Sequence, residues 1–188
     1  MSILHIHKLF TSPQGWNALS QTRPSALKLF ILLVLPFSLV PPLMLEYAGH
    51  HVGAILFPDT PGMAWSLASL FFLMAELLTV PLMAWTIKSV ARSKGIESSD
   101  RAAFMLAAIA AVPLWLSSLV LFYDQILLII AGVTLGLVGS VVLIFRGVQS
   151  ILNVDEGLIA IDIAYTVTAL GLIAWGVLVM LGLIPALA

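Results

Sequence analysis

The sequence predicts an all-α integral membrane protein with five transmembrane helices, a cytoplasmic N-terminus and an external C-terminus. Three observations point there. Hydrophobic residues make up 61% of the 188 and charged residues only 9%, whereas about a quarter of residues are charged in soluble domains. Five apolar runs are long enough to cross a hydrocarbon core of about 30 Å, which takes roughly 20 helical residues. All eight Lys and Arg residues fall on one side of the membrane that these runs define.

The runs cover residues 27–45, 63–87, 102–122, 125–145 and 158–184. They are continuous rather than alternating, which favours helices over barrel strands, since backbone polar groups in lipid must pair within the segment. Lys8, Arg23 and Lys28 lie at or before the start of the first run. Lys88, Arg92, Lys94 and Arg101 lie between the second and third, and Arg146 between the fourth and fifth. Lys and Arg are retained on the cytoplasmic side, so this asymmetry sets the topology.

The chain divides into residues 1–26, a cytoplasmic segment, and residues 27–188, the membrane domain. The first 26 residues are polar and mixed, so no cleaved leader is expected. Within them Leu4, Ile6, Leu9, Phe10, Trp16 and Leu19 alternate with polar residues, and Ser12-Pro13 reads as a helix start. A short amphipathic helix lying in the inner interface, anchored by Trp16, is predicted. Residues 46–62, with Gly49, Gly53, Pro58, Pro61 and Gly62, read as an outer loop. Residues 88–101 read as an inner loop in which Ser99 or Asp100 caps the third span. Tyr123-Asp124 makes a near-minimal turn, so the third and fourth spans form a tight hairpin.

The sequence has no Cys, which removes disulfides and thiolate chemistry. No phosphate-binding Gly loop, nucleophile elbow or metalloprotease motif is present. His50-His51 with Asp59 makes no metal site, because adjacent His point apart and no third ligand is spaced for them. No enzyme activity, metal or cofactor is expected. A formal net charge of -1 gives no attraction to nucleic acid. The partners to expect are the lipid bilayer, a membrane-protein partner or a second copy of the chain.

Two carboxylates interrupt the apolar runs and form the candidate intramembrane polar site. Glu76 has about a dozen residues of its run on either side, which puts it near the midplane. Asp162 lies about a turn and a half inside the fifth run. A mid-membrane carboxylate marks a transport pathway or proton relay, or else serves as interhelical glue. Pro36, Pro41, Pro42, Pro81 and Pro113 fall inside runs and are expected to kink or break their helices. In the fourth run Gly132, Gly136 and Gly139 form a small-residue face for close helix packing, within the chain or against a second copy. Asn153, Asp155, Glu156 and Gly157 form a polar cytoplasmic turn before the fifth run.

Residues 123–135 (Tyr-Asp-Gln-Ile-Leu-Leu-Ile-Ile-Ala-Gly-Val-Thr-Leu) and 147–158 (Gly-Val-Gln-Ser-Ile-Leu-Asn-Val-Asp-Glu-Gly-Leu) resemble the Yip family of Ypt/Rab-interacting proteins, in its bacterial branch. Leu9-Phe10-Thr11-Ser12-Pro13-Gln14-Gly15-Trp16 before the first span is similar to that branch as well. The resemblance implies five spans and a bacterial inner-membrane location. Eukaryotic members act in vesicle traffic and bind prenylated Rab GTPases through a longer tail with an Asp-Leu-Tyr-Gly-Pro signature. This chain lacks that signature, which counts against Rab-type GTPase binding. The function expected first is non-enzymatic organisation of the membrane or scaffolding of membrane-protein partners. The alternative is a small carrier or channel for an ion, proton or lipid built around Glu76.

Overall fold

The computed structural model describes Trp16, residues 24–123, 125–152 and 154, and residues 156–187. Asn153 and Asp155 of the expected cytoplasmic turn lie outside the described residues. So does the expected N-terminal amphipathic helix, apart from Trp16. Five helices are long and apolar enough to cross a membrane. Helix α1 covers Ala26–Leu56, α2 Gly62–Ser93, α3 Asp100–Ser117, α4 Ile126–Ile151 and α5 Gly157–Leu187. A 3₁₀ segment, Ser118–Phe122, prolongs α3.

Most helices outrun the apolar stretches that predict them. Helix α2 continues to Ser93 and α4 to Ile151, so Lys88, Arg92 and Arg146 are helical rather than in loops. Hydropathy reports the thickness of the hydrocarbon, not the end of the hydrogen-bond ladder, and a helix is free to run on into the headgroup region. The connection after α2 is correspondingly short. It opens on Gly95 at φ 76, a left-handed position that L side chains avoid. Around it the Gly95 and Ile96 N–H groups donate to the carbonyls of Arg92 and Ala91, the pattern of a Schellman stop. Helix α3 then starts on Ser99, whose Oγ accepts the Ala102 N–H at 3.1 Å.

The largest departure from expectation is in α1, which does not end near residue 45 but continues to Leu56. The expected outer loop shrinks to residues 57–61. Gly49 and Gly53 read as turn residues, yet both have helical backbone angles and frame a π-helical stretch, Gly49–Gly53. They are glycine because the Trp65 indole of α2 lies on them. A Cβ on Gly49 would stand 2.5 Å from Trp65 Cγ, and one on Gly53 2.9 Å from its Cζ2. A second π-helical stretch, Phe30–Val34, precedes Pro36, and the helix is divided at Leu39 just before Pro41-Pro42. The prolines interrupt only this span. Helices α2 and α3 pass Pro81 and Pro113 without ending.

Helix α3 is the centre of the bundle and touches α1, α2 and α4. Ala103, Ala107, Ala108 and Ala110 are all buried on it, and such small side chains let neighbouring helices approach. Large residues face outward instead: Leu78 is 70% exposed and Leu127 78%. This inside-out distribution fits a bundle solvated by lipid tails, which are as apolar as leucine.

Packing of α4 on α3 depends on the glycine face. Val120 occupies the place a Cβ on Gly132 would take, and a Cβ on Gly136 would lie 2.6 Å from Ser117 Cβ and 2.9 Å from the Pro113 carbonyl. Gly139 is half-buried beside them, and Ser140 Oγ donates to the Ala110 carbonyl at 2.6 Å. Gly132 and Gly136 are thus covered within the chain. Gly136→Leu is therefore expected to force α3 and α4 apart, at about 1–3 kcal/mol for overpacking of this kind. A fall in the thermal midpoint of the detergent-solubilised protein would register it.

Candidate functional site

Helices α4 and α5 are joined at one end by residues 152–156, where the Phe145 and Tyr165 rings meet edge to face at 5.1 Å. From there they diverge. The glycine face holds α4 on α3, while α5 leans on α1 and α2, with Gly182 beside Leu45 and Phe72. A cavity of about 480 Å³ fills the space left between them, and all five helices contribute to its wall. Leu172 and Leu183 line it and are each 45% exposed, so the cavity reaches the lipid-facing surface along α5.

The wall is apolar with a few polar groups. Glu76, Thr79, Ser117, Ser118, Ser140 and Thr168 are its carboxyl and hydroxyl side chains. Thr79, Ser117 and Ser118 donate to carbonyls of their own helices and Ser140 to that of Ala110, so these hydroxyls seek nothing further. Thr168 Oγ1 and Glu76 Oε2 are buried without a hydrogen-bond partner. A buried polar atom left unpaired is costly, and each one asks for an explanation.

Glu76 is the stronger of the two. It is 5% exposed in the middle of α2, and the Trp115 side chain of α3 lies beside its carboxyl. Trp115 is itself held in place, 2% exposed and stacked on Phe37 at 6.4 Å. Glu76 thus lines the cavity while its Oε2 stays buried. Among the described residues no Lys, Arg or His lines the wall.

Asp162 does not join Glu76. Its carboxylate pairs with Lys94 Nζ at 2.5 Å, with both side chains about half exposed. It belongs to the end of the bundle where Lys94 and the other described cations gather. Exposed ion pairs contribute under about 1 kcal/mol, so Asp162→Asn is expected to leave the thermal midpoint within a few degrees of the parent. Lys88 is likewise paired, with Asp100 at 2.6 Å. Glu156 is exposed, and Gly157, the first residue of α5, has nothing within 4 Å of a Cβ placed on it.

The sequence reading missed a polar cluster at the opposite end. Glu46 Oε1 accepts from Ser66 Oγ at 2.7 Å and lies 3.1 Å from His50 Nε2. His51 bonds the Tyr47 carbonyl at 2.8 Å and stacks on the Tyr47 ring. The spacing of Glu46 and His50, four apart on what proves to be one helix, was the available signal, hidden by reading residues 46–62 as loop. Among the described residues no three His, Asp or Glu side chains gather where they could hold a metal.

A family model described as the Yip1 domain matches residues 8–178. The chain belongs to the Yip1 family. Neither the curated proteins nor the solved structures contain a match to it. The Yip1 match starts at residue 8 and so takes in Trp16. That residue is fully buried, its ring lying over Gly147 of α4. The anchoring expected between Trp16 and the lipid interface is instead contact with protein. This Yip1-family chain is an integral membrane protein by its five spans.

Proposed function

We propose that this Yip1-family protein works by binding rather than by covalent chemistry, taking a lipid-like guest into the space between its helices. One observation supports this above all: an apolar cavity of about 480 Å³ whose wall includes a midspan carboxyl, Glu76, with a buried oxygen that has no partner. Volumes of this order are those of small-molecule sites, which are mostly apolar with a few placed polar groups. An ion would need several oxygen ligands or its own water, and Glu76 is the one carboxyl among the described residues of a mostly apolar wall. Of the carrier alternatives, the lipid is favoured.

The charge distribution supports a cytoplasmic N-terminus and external C-terminus, in a bacterial inner membrane on the resemblance noted above. It also supports a second reading, organisation of membrane or protein partners at the inner face. Arg92 and Arg101 are exposed there, near enough to the surface to meet anionic headgroups. A homo-oligomer or partner seam would have to use a face other than Gly132 and Gly136.

Native mass spectrometry of the protein released from membrane nanodiscs tests the first reading. A co-purifying lipid mass is expected on the parent. It should be lost when the cavity is filled by Val133→Trp with Ala174→Trp. Retention of the same mass by a correctly folded filled variant would overturn the cavity reading.

A further inference from the structure

We propose that the middle of α5, residues 168–177, is a strap that bends outward between two fixed ends and opens the cavity sideways to the bilayer. This rests on the cavity reading above and names the moving part of that site.

Both ends of α5 are held. Near its start Ile163, Ala164 and Val167 are fully buried, Asp162 pairs with Lys94 and the Tyr165 ring meets Phe145. Near its end Leu178, Gly182 and Pro185 are buried. The Pro185 carbonyl lies in the last turn, where helical N–H donors run out, and it accepts from Thr60 Oγ1 of the outer connection at 3.2 Å.

Between these anchors no residue is buried from Thr168 to Val177. Helix α3, by contrast, is buried almost without a break from Ala103 to Ala110. The inner side of the stretch looks onto the cavity rather than onto a neighbouring helix, with Thr168, Gly171, Ala174 and Trp175 in the wall. Segments with few packed contacts open at the lowest cost. Leu172 both lines the cavity and is 45% exposed, so this stretch is the border between cavity and lipid.

The two glycines of the stretch differ from those that packing demands. A Cβ on Gly49 would stand 2.5 Å from Trp65 Cγ, and one on Gly136 2.6 Å from Ser117 Cβ. On Gly171 it would lie 3.6 Å from Met83 Cε, an ordinary contact, and on Gly176 nothing described lies within 4 Å. Alanine would fit at both positions, yet each holds glycine, which weakens a helix. Nor do the two make a seam for a second copy. Five positions apart, they point about 140° away from each other around the axis, whereas glycines that pack helices recur at every fourth position. What glycine supplies here is backbone freedom, and bends gather where small residues loosen the helix. Bending also frees backbone carbonyls, which Ser and Thr hydroxyls take up in a membrane. Thr168 Oγ1, at the base of the stretch, is buried without a partner, while Thr166 already bonds the Asp162 carbonyl.

Pulsed electron paramagnetic resonance of the full-length protein in nanodiscs tests this. The chain has no Cys, so spin labels attach only at introduced cysteines. Leu135→Cys on α4 is paired in turn with Ile161→Cys, Ile173→Cys and Ile184→Cys on α5, all at exposed positions. The Ile173 pair is expected to show a second distance component that the two end pairs lack. Gly171→Ala with Gly176→Ala should remove that component and raise the thermal midpoint, since alanine fits both sites and restrains the unfolded chain. A single narrow distance for all three pairs would overturn the strap, and the lipid mass sought above would still judge the cavity separately. Persistence of the second component in the alanine variant would overturn the glycine hinge, as would a fall in its midpoint or a failure to fold, because packing would then require those glycines. The three-pair comparison in the parent stands without the alanine variant.

Discussion

Trp16→Ala is expected to destabilise the protein by about 3–5 kcal/mol, the range for truncating a fully buried large aromatic side chain. The ring is 0% exposed and lies over Gly147, where Leu106 also packs. Its neighbours Leu106, Val148 and Ile151 are buried in the same core. In a membrane span the transfer part of such a loss is small, because lipid replaces protein around the exposed side chain. Trp16 precedes the first span, so its alternative environment is water or headgroups and the transfer part counts. The loss should appear first as undocking of the segment. Chymotryptic cleavage at Leu19, between Trp16 and the first span, should accelerate well before the spans come apart, and Trp16→Phe should restore part of the protection. Unchanged cleavage in Trp16→Ala would mean that the N-terminal segment is not held to the bundle through this residue.

Span number and approximate depth could be read from the residues alone because bilayer thickness imposes a length on every apolar run. Glu76 could be placed near midspan for the same reason. What could not be read was anything decided between helices. The cavity exists because glycines draw α4 onto α3 at one seam while α5 settles on α2 at another, and no single run records that divergence. The ion pair of Asp162 was not legible either. Its partner Lys94 lies 68 positions earlier in the numbering, and only the packing of α5 beside the end of α2 brings them together. Gly132 and Gly136 were legible as a packing face, whereas Gly49 and Gly53, with the same spacing, were not. Their neighbourhood of His, Pro and Asp suggested a turn, and the side chain that explains them, Trp65, sits across a loop.

That pair of glycines gives the other large expected effect. Gly49→Val should disrupt the α1–α2 contact around Trp65, with a penalty at or above the usual range of about 1–3 kcal/mol for overpacking. The position has no soft neighbour to yield. A Cβ there would stand within 2.5 to 2.8 Å of three Trp65 atoms, Cγ, Cδ2 and Cβ, all in the rigid base of the side chain rather than its flexible tip. Trp65 cannot simply rotate away, since it is 5% exposed and its ring also covers Gly53 and tilts against Phe57 at 6.4 Å. Relief requires α1 to move as a body, and α1 carries Glu46, which bonds Ser66 of α2. Trp65 and Gly53 also line the cavity, so the same movement should widen that end of it. A paired variant, Gly49→Val with Trp65→Ala, removes the clash and tests the assignment. The double variant is expected to be more stable than Gly49→Val alone, measured by thermal unfolding in detergent. If it is less stable by the sum of the two single losses, the glycine and the indole do not meet as described.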